Sequence, residues 1–179
     1  STTSSYTVSG ESAFGCITSQ TVSVVVEPTP TVNLSTSVPS ICVGSSASLT
    51  ATGAQTYTWN PGSLTGTNVV VSPSSTTIYT VVATSSAGCA GTNTINLIVV
   101  PNPTVTSSAS PTAVCIGFSA TLTANGATSY TWNPSALTGS AAVVSPTSTT
   151  VYTVTGATAG CSSTSTVALT IHPNPPLIA

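Results

Sequence analysis

Apolar and polar residues alternate along most of this chain. Ala47, Leu49 and Ala51 fall on one side of such a run, and Ser48, Thr50 and Thr52 on the other. Tyr57 and Trp59 share a face, as do Tyr79 and Val81, and Ile95, Leu97 and Val99. The pattern returns at Ala120, Leu122 and Ala124, and at Val167, Leu169 and Ile171. A period of two puts successive side chains on opposite faces of a β-strand. Gly and Pro punctuate the runs and no stretch carries a helical period, so short strands joined by turns are predicted throughout.

The alternation is itself repeated. Tyr6, Tyr79 and Tyr152 are spaced by 73 and 73 residues, and Trp59 and Trp132 by 73. Cys42 and Cys115 are 73 apart; Cys16, Cys89 and Cys161 are spaced by 73 and 72. A fixed period of this length marks tandem modules. Pro28-Thr29-Pro30, Pro101-Asn102-Pro103 and Pro173-Asn174-Pro175 fall at the boundaries, where Pro-x-Pro favours a stiff extended path. The expected division is 1–28 as the C-terminal part of a module, 29–101 and 102–173 as complete modules, and 174–179 as a linker or the start of another. Six or seven short strands in about 73 residues predict an all-β fold of tandem Ig-like β-sandwich modules, head to tail.

Cys42 and Cys89 lie 47 residues apart in one module, and Cys115 and Cys161 lie 46 apart in the next. A Trp follows the first Cys by 17 residues in both. Cys, then Trp, then Cys in a sandwich pattern signals a disulfide within each module. That pairing predicts that Cys42→Ser destabilises 29–101 and spares 102–173. A metal site is the rival reading, but the chain has no close Cys pair and no clustered His. Cys16 has no partner at the expected offset. It pairs upstream in a longer array, pairs with an adjacent subunit, or stays free. Persistent disulfides imply a secreted, extracellular or cell-surface location.

Charge narrows the function. The 179 residues contain no Lys, Arg or Asp; the acids are Glu11 and Glu27, and the one imidazole is His172. Nucleic-acid binding depends on cationic side chains, and so does attraction to an anionic membrane. Neither partner is expected. Apolar runs such as 24–26 and 69–71 are far below the roughly 20 residues of a membrane span. The chain opens at Ser1 without Met, a charged n-region or an apolar h-region, so any signal peptide is expected outside these residues. A Ser-His-Asp triad lacks its Asp, and two Glu residues 16 apart in a partial module do not make a carboxylate pair. No enzyme activity, cofactor or metal is expected. His172 is expected at an exposed strand end.

Ser and Thr supply 68 residues, the abundant polar groups left to cover the surface. An uncharged β surface invites edge-to-edge association, because edge charges are a usual defence. Two explanations fit: covalent glycans, or a polymer in which association is the purpose. Candidate O-glycosylation clusters are Ser72, Ser74, Ser75, Thr76 and Thr77, and their counterparts Ser145, Thr147, Ser148, Thr149 and Thr150. Asn33 opens the one N-glycosylation sequon. Tyr57, Trp59, Tyr130 and Trp132 are read as core in preference to a sugar-binding platform.

Tyr57-Thr58-Trp59-Asn60-Pro61 resembles the Tyr-x-Trp strand of PKD-like and bacterial Ig-like modules. Thr77-Ile78-Tyr79-Thr80-Val81, followed by Ala87-Gly88-Cys89, resembles their penultimate strand and the turn after it. The resemblance recurs at 129–134 and 150–161, and partially at 3–16. It implies tandem repeats of secreted surface adhesins or fibre-forming proteins, with a structural, adhesive or spacer role. PKD modules often follow the Trp with acidic residues, whereas this chain has Asn-Pro, so a calcium role is not carried over. The expected partners are copies of the chain or neighbouring modules, either in a fibre or in the stalk of an adhesin with an unidentified distal ligand. The tail Pro176-Leu177-Ile178-Ala179 is a candidate donor strand, too short to complete the partial module alone.

Overall fold

A computed structural model describes residues 2–175. Strands occupy the alternating runs read in the sequence, and short additional strands such as Ser40–Cys42 and Leu64–Thr65 bring each full repeat to eight where six or seven were expected. A hairpin of β1 (Ser4–Glu11) and β2 (Ile17–Val24) comes first. The first full repeat contributes β3 (Asn33–Thr36), β4 (Ser40–Cys42), β5 (Ala47–Thr52), β6 (Thr56–Asn60), β7 (Leu64–Thr65), β8 (Asn68–Val71), β9 (Thr77–Thr84) and β10 (Ala90–Val100). The second contributes β11 (Thr106–Ser110), β12 (Ala113–Cys115), β13 (Ala120–Asn125), β14 (Ser129–Asn133), β15 (Leu137–Thr138), β16 (Ala141–Val144), β17 (Thr150–Thr158) and β18 (Cys161–His172).

Each full repeat forms two sheets. In the first, a three-stranded sheet has the order β3-β5-β8 and a five-stranded sheet the order β4-β10-β9-β6-β7. The second has β11-β13-β16 and β12-β18-β17-β14-β15. Neighbours are antiparallel except β4 with β10 and β12 with β18, which run parallel. This is the Ig-like β-sandwich, present in tandem along the sequence. By contact density the chain forms two compact units. One takes in the chain up to Pro39 with Ser46–Ser72 and Thr76–Leu97. The other takes in Ser40–Ser45, Pro73–Ser75 and the chain from Ile98 onward.

The core follows from the period of two. β5 buries Ala47, Leu49 and Ala51, β6 buries Tyr57 and Trp59, and β9 buries Tyr79, Val81 and Ala83. In the second unit Leu122, Trp132, Val154 and Leu169 are fully buried at the centre of one cluster. Burying such a side chain contributes about 1.5–3 kcal/mol. Each buried Trp also needs a partner for its indole N–H. Trp59 Nε1 donates to the Gly66 carbonyl at 3.0 Å, and Trp132 Nε1 to that of Gly139 at 3.1 Å. Tyr57 and Tyr130 turn their hydroxyls back to the carbonyls of Ala54 and Ala127, at 2.7 and 2.8 Å. All four rings are core, with none left as a sugar platform.

The expected disulfides within each repeat are not formed. Cys42 is bonded to Cys161, with 5.6 Å between Cα atoms, and Cys16, Cys89 and Cys115 are free thiols. Strand register explains the correction. Cys115 pairs with His172 at the far end of β18, whereas Cys161 opens that strand. Eleven residues at about 3.3 Å each separate those ends by about 36 Å; a disulfide needs Cα atoms within about 7 Å. The first repeat has the same register: Cys42 pairs with Val100, and Cys89 immediately precedes Ala90 at the other end of β10. Both half-cystines of the observed bond lie in the second unit, although they come from successive repeats of the sequence.

Candidate functional site

Among the described residues, no group of three or more His, Cys, Asp or Glu could hold a metal ion. Glu11 and Glu27 are exposed in the first unit, and His172 is exposed at the end of β18 in the second. No helix among the described residues is long and apolar enough to cross a membrane.

Two features do stand out. The first is the β1–β2 hairpin. Its pairing sets Tyr6 opposite Val22 and Ser4 opposite Val24. Alternation then gathers Tyr6, Val8, Val22 and Val24 on one face. On the other, the hydroxyls of Ser5 and Ser23 and those of Thr7 and Thr21 meet at 3.0 Å. The hairpin corresponds to β9 and β10 of the full repeat, yet its apolar face is bare. Tyr6 and Val8 are 58% and 70% exposed, whereas their counterparts Tyr79 and Val81 are 5% and 0%. Val24, Val25 and Val26 are exposed as well.

The second feature is the set of strand-end and turn cysteines. Cys42 and Cys115 end β4 and β12, directly after buried Ile41 and Val114. Because neighbouring side chains alternate, a cysteine beside a core residue points away from the core. Cys16, Cys89 and Cys161 each close a hairpin turn. In the first two turns a serine hydroxyl accepts from the cysteine N–H: Ser12 Oγ from Cys16 and Ser85 Oγ from Cys89, both at 3.2 Å. An open apolar cleft of about 350 Å³ lies beside Cys115, lined by Pro111, Ala113, Val114, Phe118 and Ser119.

The predicted glycosylation positions are mostly accessible. Asn33, Ser72, Ser74, Ser75, Thr76, Ser145, Thr147, Ser148 and Thr149 are exposed, and Thr77 and Thr150 are half-buried. Thr150 donates its hydroxyl to the Ser148 carbonyl at 2.8 Å, and Thr149 Oγ1 accepts from the Ile171 N–H at 3.0 Å. The donor tail expected at 176–179 lies outside the described residues.

No family model and no curated protein sequence matches the chain. Solved structures do. One is the Ca²⁺-stabilized adhesin with which an Antarctic bacterium binds ice, at 15% identity and a TM-score of 0.45; the match covers 97% of this chain and 57% of that one. A second is a 1.5-MDa bacterial ice-binding adhesin, at 15% identity and a TM-score of 0.38, covering 83% and 67% of the two chains. A third is the ectodomain of mouse nectin-like molecule 4, at 16% identity and a TM-score of 0.35, covering 84% and 66%.

Proposed function

We propose that this chain is a structural building block of an extracellular fibre, made of bacterial, PKD-like Ig repeats with a coat of Ser/Thr-linked glycan. One observation carries the reading: the bare face of the β1–β2 hairpin. In the second full repeat the equivalent residues Tyr152 and Val154 lie in one buried cluster with Leu122, Ala142 and Val144 of the three-stranded sheet. Strands of that kind from a neighbouring repeat or a second copy would bury Tyr6, Val8 and Val24. Main-chain hydrogen bonds to the open hairpin edges would add to the affinity. The proposed domain division at 28, 101 and 173 fits this use, because each Pro-rich boundary offers a stiff joint between like modules.

The surface supports the same reading. With 1% charged residues, hydroxyls alone separate one sheet edge from the next. The absence of Lys and Arg also removes every trypsin site, which suits life outside the cell. Glycan is placed first on Ser72, Ser74, Ser75 and Thr76 and on Ser145, Thr147 and Ser148. A stalk of a large surface adhesin is the second reading, favoured by the tandem repeat itself.

The test is the mass of the native chain before and after complete chemical deglycosylation. A loss of mass, leaving a chain near 17.5 kDa, supports the glycosylated subunit of a fibre. A much larger deglycosylated chain supports the stalk. An unchanged mass overturns the glycan coat.

A further inference from the structure

The Cys42–Cys161 bond joins the strand-end cysteine of one repeat to the turn cysteine of the next. The same chain presents unbonded copies of both halves. Cys115 repeats Cys42: it pairs with His172 as Cys42 pairs with Val100. The Ile116 N–H donates to the His172 carbonyl at 3.1 Å, as the Val43 N–H does to Val100 at 3.1 Å. Asn174 Nδ2 donates to the Ile116 carbonyl and Asn102 Nδ2 to that of Val43, at 3.4 and 3.2 Å. Each strand end is therefore bound in the same way to the Pro-Asn-Pro segment that leads onward.

Cys89 in turn repeats Cys161. Its Sγ lies 3.8 Å from the Glu27 carbonyl oxygen, and the Sγ of Cys161 lies 3.8 Å from that of Val100. Glu27 and Val100 are themselves 73 residues apart. The two environments differ in completion: Cys42 and Cys161 are sheltered, whereas Cys115 is exposed beside its apolar cleft and Phe118 stands 65% exposed.

We propose that Cys115 forms a disulfide with the turn cysteine of a further repeat of this type, and that Cys89 receives the strand-end cysteine of a preceding one. The cysteines then make a ladder in which each rung ties a repeat to its successor, and Cys16 is another receiving half. The partner needs a hairpin turn ending in Gly-Cys, as at Gly15-Cys16, Gly88-Cys89 and Gly160-Cys161. The cleft beside Cys115 would take that turn. The inference rests on the extracellular reading for its oxidant, a disulfide-bearing compound or protein. One thiolate attacks that disulfide, and the second displaces the mixed disulfide. One S–S bond forms as another breaks. The two cysteines lose two protons and two electrons, and the oxidant leaves as two thiols.

The test uses the native protein, isolated without reduction, with free thiols blocked by N-ethylmaleimide and the chain cut by pepsin. Sequencing the cross-linked peptides should find Cys115 bonded to a Gly-Cys turn peptide. Reduction of the intact material then tells the source: release of 17.5 kDa chains identifies separate copies, and an unchanged mass identifies repeats of one polypeptide. Recovery of Cys115 as the maleimide adduct, with Cys42–Cys161 intact, overturns the ladder and leaves the fibre reading standing. Recovery of Cys42 and Cys161 as adducts too overturns the oxidising location, and the fibre reading with it.

Discussion

Cys42 is bonded to Cys161, 119 residues downstream, and not to Cys89, although Cys89 is much nearer in sequence. The bond closes a very long loop. In the chain-entropy account, a loop of this length restricts the unfolded chain by about 5 kcal/mol.

Cys42→Ser and Cys161→Ser should therefore each destabilise the second unit by up to about 5 kcal/mol. Cys89→Ser should leave it unchanged. Denaturant unfolding of the 179-residue chain under oxidising conditions measures all three. A Cys89→Ser cost equal to that of Cys42→Ser would restore pairing within the repeat.

The sandwich was legible because alternation fixes which side chains face inward. Leu49, Trp59, Val81 and Leu97 all stand on the predicted face and are fully buried. The disulfide was misread because the order Cys, Trp, Cys says nothing of which strand end each Cys occupies. One local signal pointed the other way. Ile41 and Cys42 are adjacent, as are Val114 and Cys115, and only one member of each pair can face the core. Glycosylation leaves little trace in sequence, because O-linked sites follow accessibility more than motif.

Two glycines mark where the chain passes closest to itself. Gly53 and Gly126 have φ of 102° and 97°, and a Cβ on either would run into the carbonyl oxygen of Thr31 or Thr104. Gly53→Ala and Gly126→Ala should each cost at least about 2 kcal/mol, from left-handed strain plus collision. Gly44 has φ of 88° and open space around it, so Gly44→Ala should cost only about 1 kcal/mol. Equal costs at all three positions, measured by thermal unfolding, would remove the close approach from the account.

Alkaline pH should unfold the protein through its core tyrosines. Burial raises the phenols of Tyr79 and Tyr152 above their ordinary value of 10.0. The folded state thus holds these protons more tightly than the unfolded chain does. Their contribution is fully present below about pH 10 and is lost as pH rises through the raised folded values. The melting temperature should fall above about pH 10, and less steeply in a Tyr79→Phe, Tyr152→Phe double variant. An equally steep fall in that variant would assign alkaline unfolding to other groups.

The hairpin face should govern association and not stability. Val8 and Val24 are exposed, so Val8→Glu and Val24→Glu should move the melting temperature little, within about 0.5 kcal/mol each. Both should suppress assembly, because a charge on that face cannot be buried without a partner. Light scattering at matched concentration reads the effect. Unchanged assembly in the double variant would assign association to another surface.

The most direct test of the fibre reading is electron cryo-microscopy of the native material, isolated without reduction. The account predicts uniform filaments in which strands of a further repeat cover Tyr6, Val8 and Val24. Dispersed single chains whose hairpin face stays bare would contradict it.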